Sequence, residues 1–195
     1  MRKNYKIKKV EGVTTTFFDE QYDFDRERLW EYIKENINED YYFIAENPNR
    51  VWECLPMDWF GGYKNVTLGV VITENSHKNR IEVLAKIPAH RRAILVSSPV
   101  EKCDLQSHVD ILQASFHLMI LNGEGNGEGD FHEFSHDKLN PDKTWIYNDD
   151  EVESMFIEFG RENNLEILFS DWNSKNIRLM TEVMLSKIKL NIRQK

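Results

Sequence analysis

The chain has little of what several classes of protein depend on. Among its 195 residues, Cys54 and Cys103 are the only cysteines and lack CxxC spacing, which excludes a disulfide framework and fits reduced thiols in the cytoplasm. No apolar run approaches the roughly 20 residues that a membrane span requires. Lysines interrupt the start of the chain, which lacks the apolar core of a secretory signal. We therefore expect a cytoplasmic protein without a membrane segment.

Linkers and repeats are missing as well. No stretch rich in proline, glycine and serine divides the chain. Hydrophobic residues make up 41% of the composition and aromatic residues 12%, which is enough for one substantial core. We expect a single globular domain over 1–195. The one glycine-rich segment, around 123–130, alternates glycine with acidic or amide residues and is predicted to be a flexible loop.

Positive charge is scarce in the second half of the chain. The net charge is −8, and residues 101–195 hold 10 Lys/Arg against 18 Asp/Glu, whereas residues 1–100 hold 15 of each. The excess is strongest in 123–166, which has 13 acidic residues. Such a surface repels nucleic-acid phosphates and favours a basic protein. A solvated face without a partner is the alternative.

Periodicity predicts a mixture of strands and helices. Val66–Thr73 and Ile81–Ile87 alternate as two strands of an antiparallel hairpin, and Arg92–Ser97 adds a third strand. Further elements are a bent strand around Gly12, a strand at Tyr41–Ala45, a helix beginning at Asp25 with Ile37 on its apolar face, and a helix-strand-helix ending. From Asp104 a helix is predicted to run through Met119, with a buried strand at 116–121 as the alternative. We expect an α+β fold, an antiparallel sheet packed by helices.

One short pattern indicates a specific chemistry. His132, Glu133 and His136 form H-E-x-x-H, which on a helix would place both imidazoles on one face to hold Zn²⁺, with the glutamate activating a bound water. These five residues resemble the motif of zinc metalloproteases. The resemblance implies His132 and His136 as metal ligands and Glu133 as general base. Glycines upstream and Pro141 downstream leave room for only a short helix, and the extended HExxHxxGxxH form is lacking.

Two functions follow from these patterns. The leading hypothesis is a small acidic protein-binding module of the immunity or inhibitor type, without a cofactor, which engages a basic protein through its acidic second half. Asp149, Asp150, Glu151 and Glu153 would supply the charge, and the aromatic residues Trp52 and Trp59 would supply contacts. The alternative is a zinc-dependent hydrolase. A third hypothesis is a small-ligand-binding domain whose pocket is walled by the aromatic segment 52–63.

Overall fold

A computed structural model describes residues 8–10, 13–97, 104–122, 150–170 and 181–189. Its seven strands are β1 (Lys8–Val10), β2 (Val13–Thr14), β3 (Tyr41–Ala45), β4 (Val66–Ile72), β5 (Arg91–Ser97), β6 (Leu118–Asn122) and β7 (Glu166–Ser170). The helices are α1 (Arg26–Glu35), α2 (Val51–Cys54), α3 (Asn79–Ala85), α4 (Val109–Ser115), α5 (Asp150–Glu162) and α6 (181–189). Short 3₁₀ turns precede four of them, at Glu20–Asp25, Pro48–Arg50, Asn75–Lys78 and Gln106–His108.

All strand pairs in the described chain are parallel, in the order β1-β7-β6-β5-β4-β3-β2. The predicted antiparallel α+β fold is therefore wrong, and the chain is an α/β protein. Residues Ile81–Ile87 do not form the return strand of a hairpin, because Asn79–Ala85 is helix α3. Ile81, Leu84 and Ile87 recur every third residue and are all buried, and this helical spacing overrides the apparent alternation.

The sheet is curled so strongly that its two edges approach each other. In a flat sheet the edge strands β1 and β2 would lie about 29 Å apart, since neighbouring strands are about 4.8 Å apart. Only two residues separate Val10 from Val13, however, so their Cα atoms are at most about 11 Å apart. A sheet that meets both conditions wraps around its own inner face.

The inner face of the curl is an apolar cluster built only from strands. It consists of Val13, Tyr42, Ile44, Val71, Ala93, Leu95, Leu118, Ile120 and Leu168. All are less than 9% exposed although no described helix contributes to the cluster. The cluster therefore lies on the inner side of the curl, opposite the helices that pack on the outer face. Gly69 leaves space there for a larger neighbour, because a Cβ at this position would clash with Cδ1 of Ile44.

The outer face carries the larger core, which strands and helices build together. Its aromatic centre lies under α1, where Phe17 stacks on Phe43 with ring centroids 3.8 Å apart and Trp30 meets both rings edge-on. Trp30 also donates from Nε1 to the carbonyl of Cys54 at 2.8 Å, which joins α1 to α2. Burial of such large rings is the main stabilising contribution in this part of the fold.

Several local predictions are confirmed and two are corrected. The strand at Tyr41–Ala45, the helix starting after Asp25 and the helix-strand-helix ending are present. The helix predicted from Asp104 to Met119 ends at Ser115, and the alternative strand is correct, since β6 spans Leu118–Asn122. Ile37 lies beyond the end of α1 and is 66% exposed rather than buried. No helix within the described ranges is long and apolar enough to cross a membrane.

Candidate functional site at the carboxyl edge and the acidic face

The carboxyl ends of the parallel strands form one edge of the curled sheet, which we call the carboxyl edge. In parallel α/β folds this edge carries the ligand and active sites, because the connections that follow each strand converge there. Polar residues follow three of the strands at this edge. Thr15, Glu46 and Thr73 each lie two positions beyond an inner-cluster residue of the preceding strand, which is Val13, Ile44 or Val71.

A hydroxyl, an imidazole and a carboxylate lie together directly after β4. Thr73 Oγ1 lies 3.0 Å from Nδ1 of His77, and Nε2 of His77 lies 3.4 Å from Oε1 of Glu74. Strand β4 places Thr73 at the edge, and the 3₁₀ turn Asn75–Lys78 brings His77 back towards it. The His77 side chain is 25% exposed and the Glu74 side chain 46% exposed, so solvent reaches the group.

Arg80 lies at the same edge. It donates from Nη1 to the carbonyl of Val71 at 2.9 Å, one position beyond the last pair between β3 and β4. Burial lowers the pKa of this guanidinium, and the carboxylates of Glu46 and Glu74 oppose that shift. The carboxyl edge next to β4 therefore combines two carboxylates, one guanidinium and one imidazole.

A second feature is an acidic face formed by exposed side chains of residues 19–58. This segment holds 12 acidic and 4 basic residues. Eleven of the twelve acidic residues are exposed, and Asp25 is half-buried. Two of the four basic residues are committed to one carboxylate, because Arg26 and Arg50 both donate to Asp23. A third, Lys34, lies 3.0 Å from Asp58, and the fourth, Arg28, lies 3.7 Å from Asp25. Lys187 of α6 adds a positive charge from outside the segment, 3.9 Å from Glu39, and the acidic residues still outnumber the basic ones.

Large apolar side chains stand exposed among these acidic residues. Phe24 is 99% exposed, Trp52 58%, Met57 103% and Ile37 66%. Phe24 follows Asp23 in the 3₁₀ turn Glu20–Asp25, and Trp52 lies two residues after Arg50, so the Asp23–Arg50 pair ties the two aromatic segments together. Single exposed apolar side chains are common on protein surfaces, whereas a contiguous exposed patch is typical of an interaction site.

The residues expected from the sequence to form sites fall in different places. Trp52 is exposed, whereas Trp59 is 4% exposed and donates from Nε1 to the carbonyl of Pro88 at 2.7 Å, so Trp59 belongs to the core. The helix α5 begins at Asp150 and includes positions 151 and 153, so Glu151 and Glu153 lie in its first turn. Asp149 lies outside the described residues.

The expected metal site cannot be compared with the fold in the same way. His132, Glu133 and His136, like the loop around 123–130, lie outside the described residues, between β6 and α5 in the chain. Within the parts that are described, no group of three or more His, Cys, Asp or Glu side chains is arranged to hold a metal ion. The zinc hypothesis stays a prediction.

Both features of the described chain escaped the sequence analysis. The acidic segment 19–58 was hidden by averaging over residues 1–100, where lysines and arginines outside it balance the charge. His77 falls between the two runs predicted as hairpin strands, whereas the structure has it in the 3₁₀ turn before α3, four residues after Thr73. The spacing between Thr73 and His77 can be read from the sequence. Their position at a carboxyl edge follows only once the strands are known to be parallel.

No protein-family model, curated protein or solved structure matches the chain. The class that the described fold defines is an all-parallel α/β protein with a curled sheet.

Proposed function

We propose that this chain is a cytoplasmic protein-binding module that engages a basic protein through the acidic face of residues 19–58. The observation that carries the proposal is that one segment, residues 19–58, exposes eleven acidic side chains together with Phe24, Ile37, Trp52 and Met57. A soluble face without a partner needs the charge but gains nothing from exposed aromatic rings, which favour association. The buried free thiol of Cys54 agrees with a reducing compartment.

The two components of the face would act at different stages of binding. The carboxylates attract a basic partner over a distance of about a Debye length and raise the association rate. Phe24 and Trp52 then bury apolar area at the centre of the contact and slow dissociation. Because the Asp23–Arg50 pair holds both segments in place before binding, less conformational entropy is lost on association.

The acidic residues first expected to bind remain part of the proposal. Asp150, Glu151 and Glu153 begin α5, and Asp149 precedes it. An immunity-type or inhibitor-type protein, which covers a basic cleft of a toxin or nuclease, would use such an acidic surface. The acidic charge supports this class of protein, and the exposed aromatic side chains would add apolar contact area, which carboxylates do not supply.

Site-specific photo-cross-linking in the cells that make the protein tests the proposal. A photoreactive phenylalanine analogue replaces Phe24 in one variant and Ala114 in a second. Ala114 is exposed on α4, between β5 and β6, and serves as the control outside residues 19–58. We expect a discrete cross-linked protein of net positive charge from position 24, identified by mass spectrometry, and none from position 114.

The complex should also respond to charge and salt. Charge reversal of Glu20, Glu27 and Glu53 should reduce the association rate of the identified partner tenfold or more at low salt, because steering is electrostatic. Cross-linking that is equal at positions 24 and 114, a partner that is acidic, or an association rate unaffected by the three reversals would contradict the proposal.

A further inference from the structure

We propose that the turn at residues 56–62, which we call the anchor turn, inserts Met57 and Phe60 into an apolar pocket of a basic partner protein. The inference rests on the proposed function and deepens it, because it names the contact that the partner has to offer. Met57 is 103% exposed and Phe60 84% exposed, three positions apart in one turn. Both side chains leave nearly all of their apolar area in water.

The backbone of the anchor turn is strained at Phe60. The amide of Gly62 donates to the carbonyl of Trp59 at 2.7 Å, so Phe60 is the first central residue of a tight turn. Its φ is 44°, in the left-handed region that glycine adopts freely and a bulky residue avoids. The exposed ring gains little burial within the chain to offset this cost. An aromatic side chain held in water by a strained backbone is typical of a recognition site.

The rest of the anchor turn is fixed to the core. Trp59 is 4% exposed, and its ring centroid lies 5.3 Å from that of Trp30 in α1. Gly62 has a φ of 99°, and a Cβ there would lie 2.7 Å from the backbone nitrogen of His90, so the turn packs closely on the segment before β5. The two exposed side chains are therefore presented by an ordered frame, and binding costs little conformational entropy.

A charged contact places the anchor turn beside an acidic side of α1. Lys34 Nζ donates to Oδ2 of Asp58 at 3.0 Å, and the Tyr63 hydroxyl donates to Oδ1 of Asp58 at 2.5 Å. Glu27, Glu31 and Lys34 follow one another at steps of four and three residues, so these exposed side chains share one side of the helix. Because Asp58 already offsets the charge of Lys34, the helix side next to the anchor turn is negative.

The combination of charge and apolar area selects the partner. Carboxylates beside two apolar side chains complement an apolar pocket surrounded by lysine or arginine. A cytoplasmic membrane surface carries anionic headgroups, which repel these carboxylates. A second copy of this chain, with a net charge of −8, is repelled as well. A basic protein with an apolar pocket is the occupant that fits both features.

Photo-cross-linking and unfolding of the free protein together test the anchor turn. The photoreactive analogue at position 60 should capture the same basic protein as the analogue at position 24. With the analogue at position 24, Phe60→Gly should reduce the cross-linked yield tenfold or more, whereas Phe60→Leu should keep most of it. Phe60→Gly should also raise the urea midpoint of the free protein, because glycine adopts the left-handed φ without strain. A ring needed only for the fold would lower the yield and the midpoint together.

Charge reversal on α1 tests the acidic side of the contact. Changing both Glu27 and Glu31 to lysine should reduce cross-linking from position 60 tenfold or more at low salt. The matched control changes Glu158 and Glu162, which are exposed on α5 at the same spacing of four residues. This control makes the same change in net charge and should keep most of the yield.

The outcomes separate the anchor turn from the proposed function. Cross-linking from position 24 that is unaffected by Phe60→Gly would overturn the anchor turn and leave the acidic face in place. No basic protein captured from either position would overturn both. Capture of lipid or of a second copy of the chain from position 60, or a lower urea midpoint in Phe60→Gly, would overturn the anchor turn alone.

Discussion

Arg50 donates from Nη2 to both carboxylate oxygens of Asp23, each at 2.6 Å. The same carboxylate accepts a bond of 2.8 Å from Arg26, whose side chain is only 8% exposed. Arg26 also lies over the ring of Phe17, 5.4 Å from its centroid. Asp23 is therefore the point at which the 3₁₀ turn Glu20–Asp25, α1 and the turn Pro48–Arg50 before α2 are joined.

Replacing Asp23 by asparagine should destabilise the protein in a way that depends on pH. Hydrogen bonds from Arg26 and Arg50 lower the pKa of the Asp23 carboxyl. The pKa of Asp23 is therefore lower in the folded chain than in the unfolded chain, where it is about 3.9, so ionised Asp23 stabilises the fold above that pH. This stabilisation is lost as the pH falls through the pKa of the folded state. We expect Asp23→Asn to lower the urea midpoint at pH 7 and to differ less from the wild type below pH 4.

The control for this effect is Glu53→Gln. Glu53 lies 3.9 Å from Nη1 of Arg50, but its side chain is 76% exposed, so solvent screens the pair. Its urea midpoint at pH 7 should match the wild type. A loss in Asp23→Asn that is equally large at pH 7 and at pH 3 would contradict the electrostatic account.

Gly69 should tolerate no larger residue, because the inner face of the curled sheet is crowded there. A Cβ at this position would clash with Cδ1 of Ile44 on β3 and lie 3.2 Å from the carbonyl oxygen of Ala93 on β5. We expect Gly69→Val to reduce the free energy of unfolding by about 1–3 kcal/mol, as overpacking of a core does. Gly61, with nothing within 4 Å of its Cβ position, is the matched control, and Gly61→Ala should change stability by less than about 0.5 kcal/mol. Thermal and urea unfolding measure both, and equal stability of Gly69→Val and wild type would argue against a closed inner face.

Sequence patterns located most elements but could not assign their pairing. Strand β3 and helices α1 and α5 were predicted because their apolar spacing is unambiguous, as at Phe156 and Phe159, which are both buried. Strand direction depends on contacts distant in sequence, and the alternation of Ile81–Ile87 suggested a hairpin partner. The signal that was available is the run Ala93–Val96, with no polar position, because strands covered on both faces are typical of parallel sheets.

The candidate sites were less accessible from the sequence than the elements. The acidic face depends on which basic side chains are already paired, and only the structure shows Arg26 and Arg50 bound to Asp23. The group around Thr73 depends on the carboxyl edge, which an antiparallel sheet does not have. The acidic excess of residues 19–58, with 12 acidic and 4 basic residues, is itself readable from the sequence, but the exposure of those side chains is not.

His117 should make stability depend on pH near neutrality. Burial lowers the pKa of this imidazole, and the positive charges of Arg92, Arg91 and His90 lower it further. The unfolded chain then binds the proton more readily than the folded chain, so stability falls as the pH drops below about 6.5 and levels off under the folded pKa. Urea unfolding between pH 5 and 8 should show a smaller decrease for His117→Gln than for the wild type. An identical decrease in both would assign the effect to other groups.

The metal content of the untagged protein discriminates the zinc hydrolase from the binding module. Elemental mass spectrometry after dialysis against metal-free buffer compares the wild type with His132→Ala. A functional H-E-x-x-H site requires near-stoichiometric zinc in the wild type and its loss in His132→Ala, with Glu133→Gln keeping the metal because the glutamate acts on water rather than on the ion. The proposed binding module predicts no stoichiometric zinc in any of the three. Zinc in the wild type that survives His132→Ala would exclude His132 as a ligand, since two histidines with one further protein ligand are the least that hold catalytic zinc at such a motif.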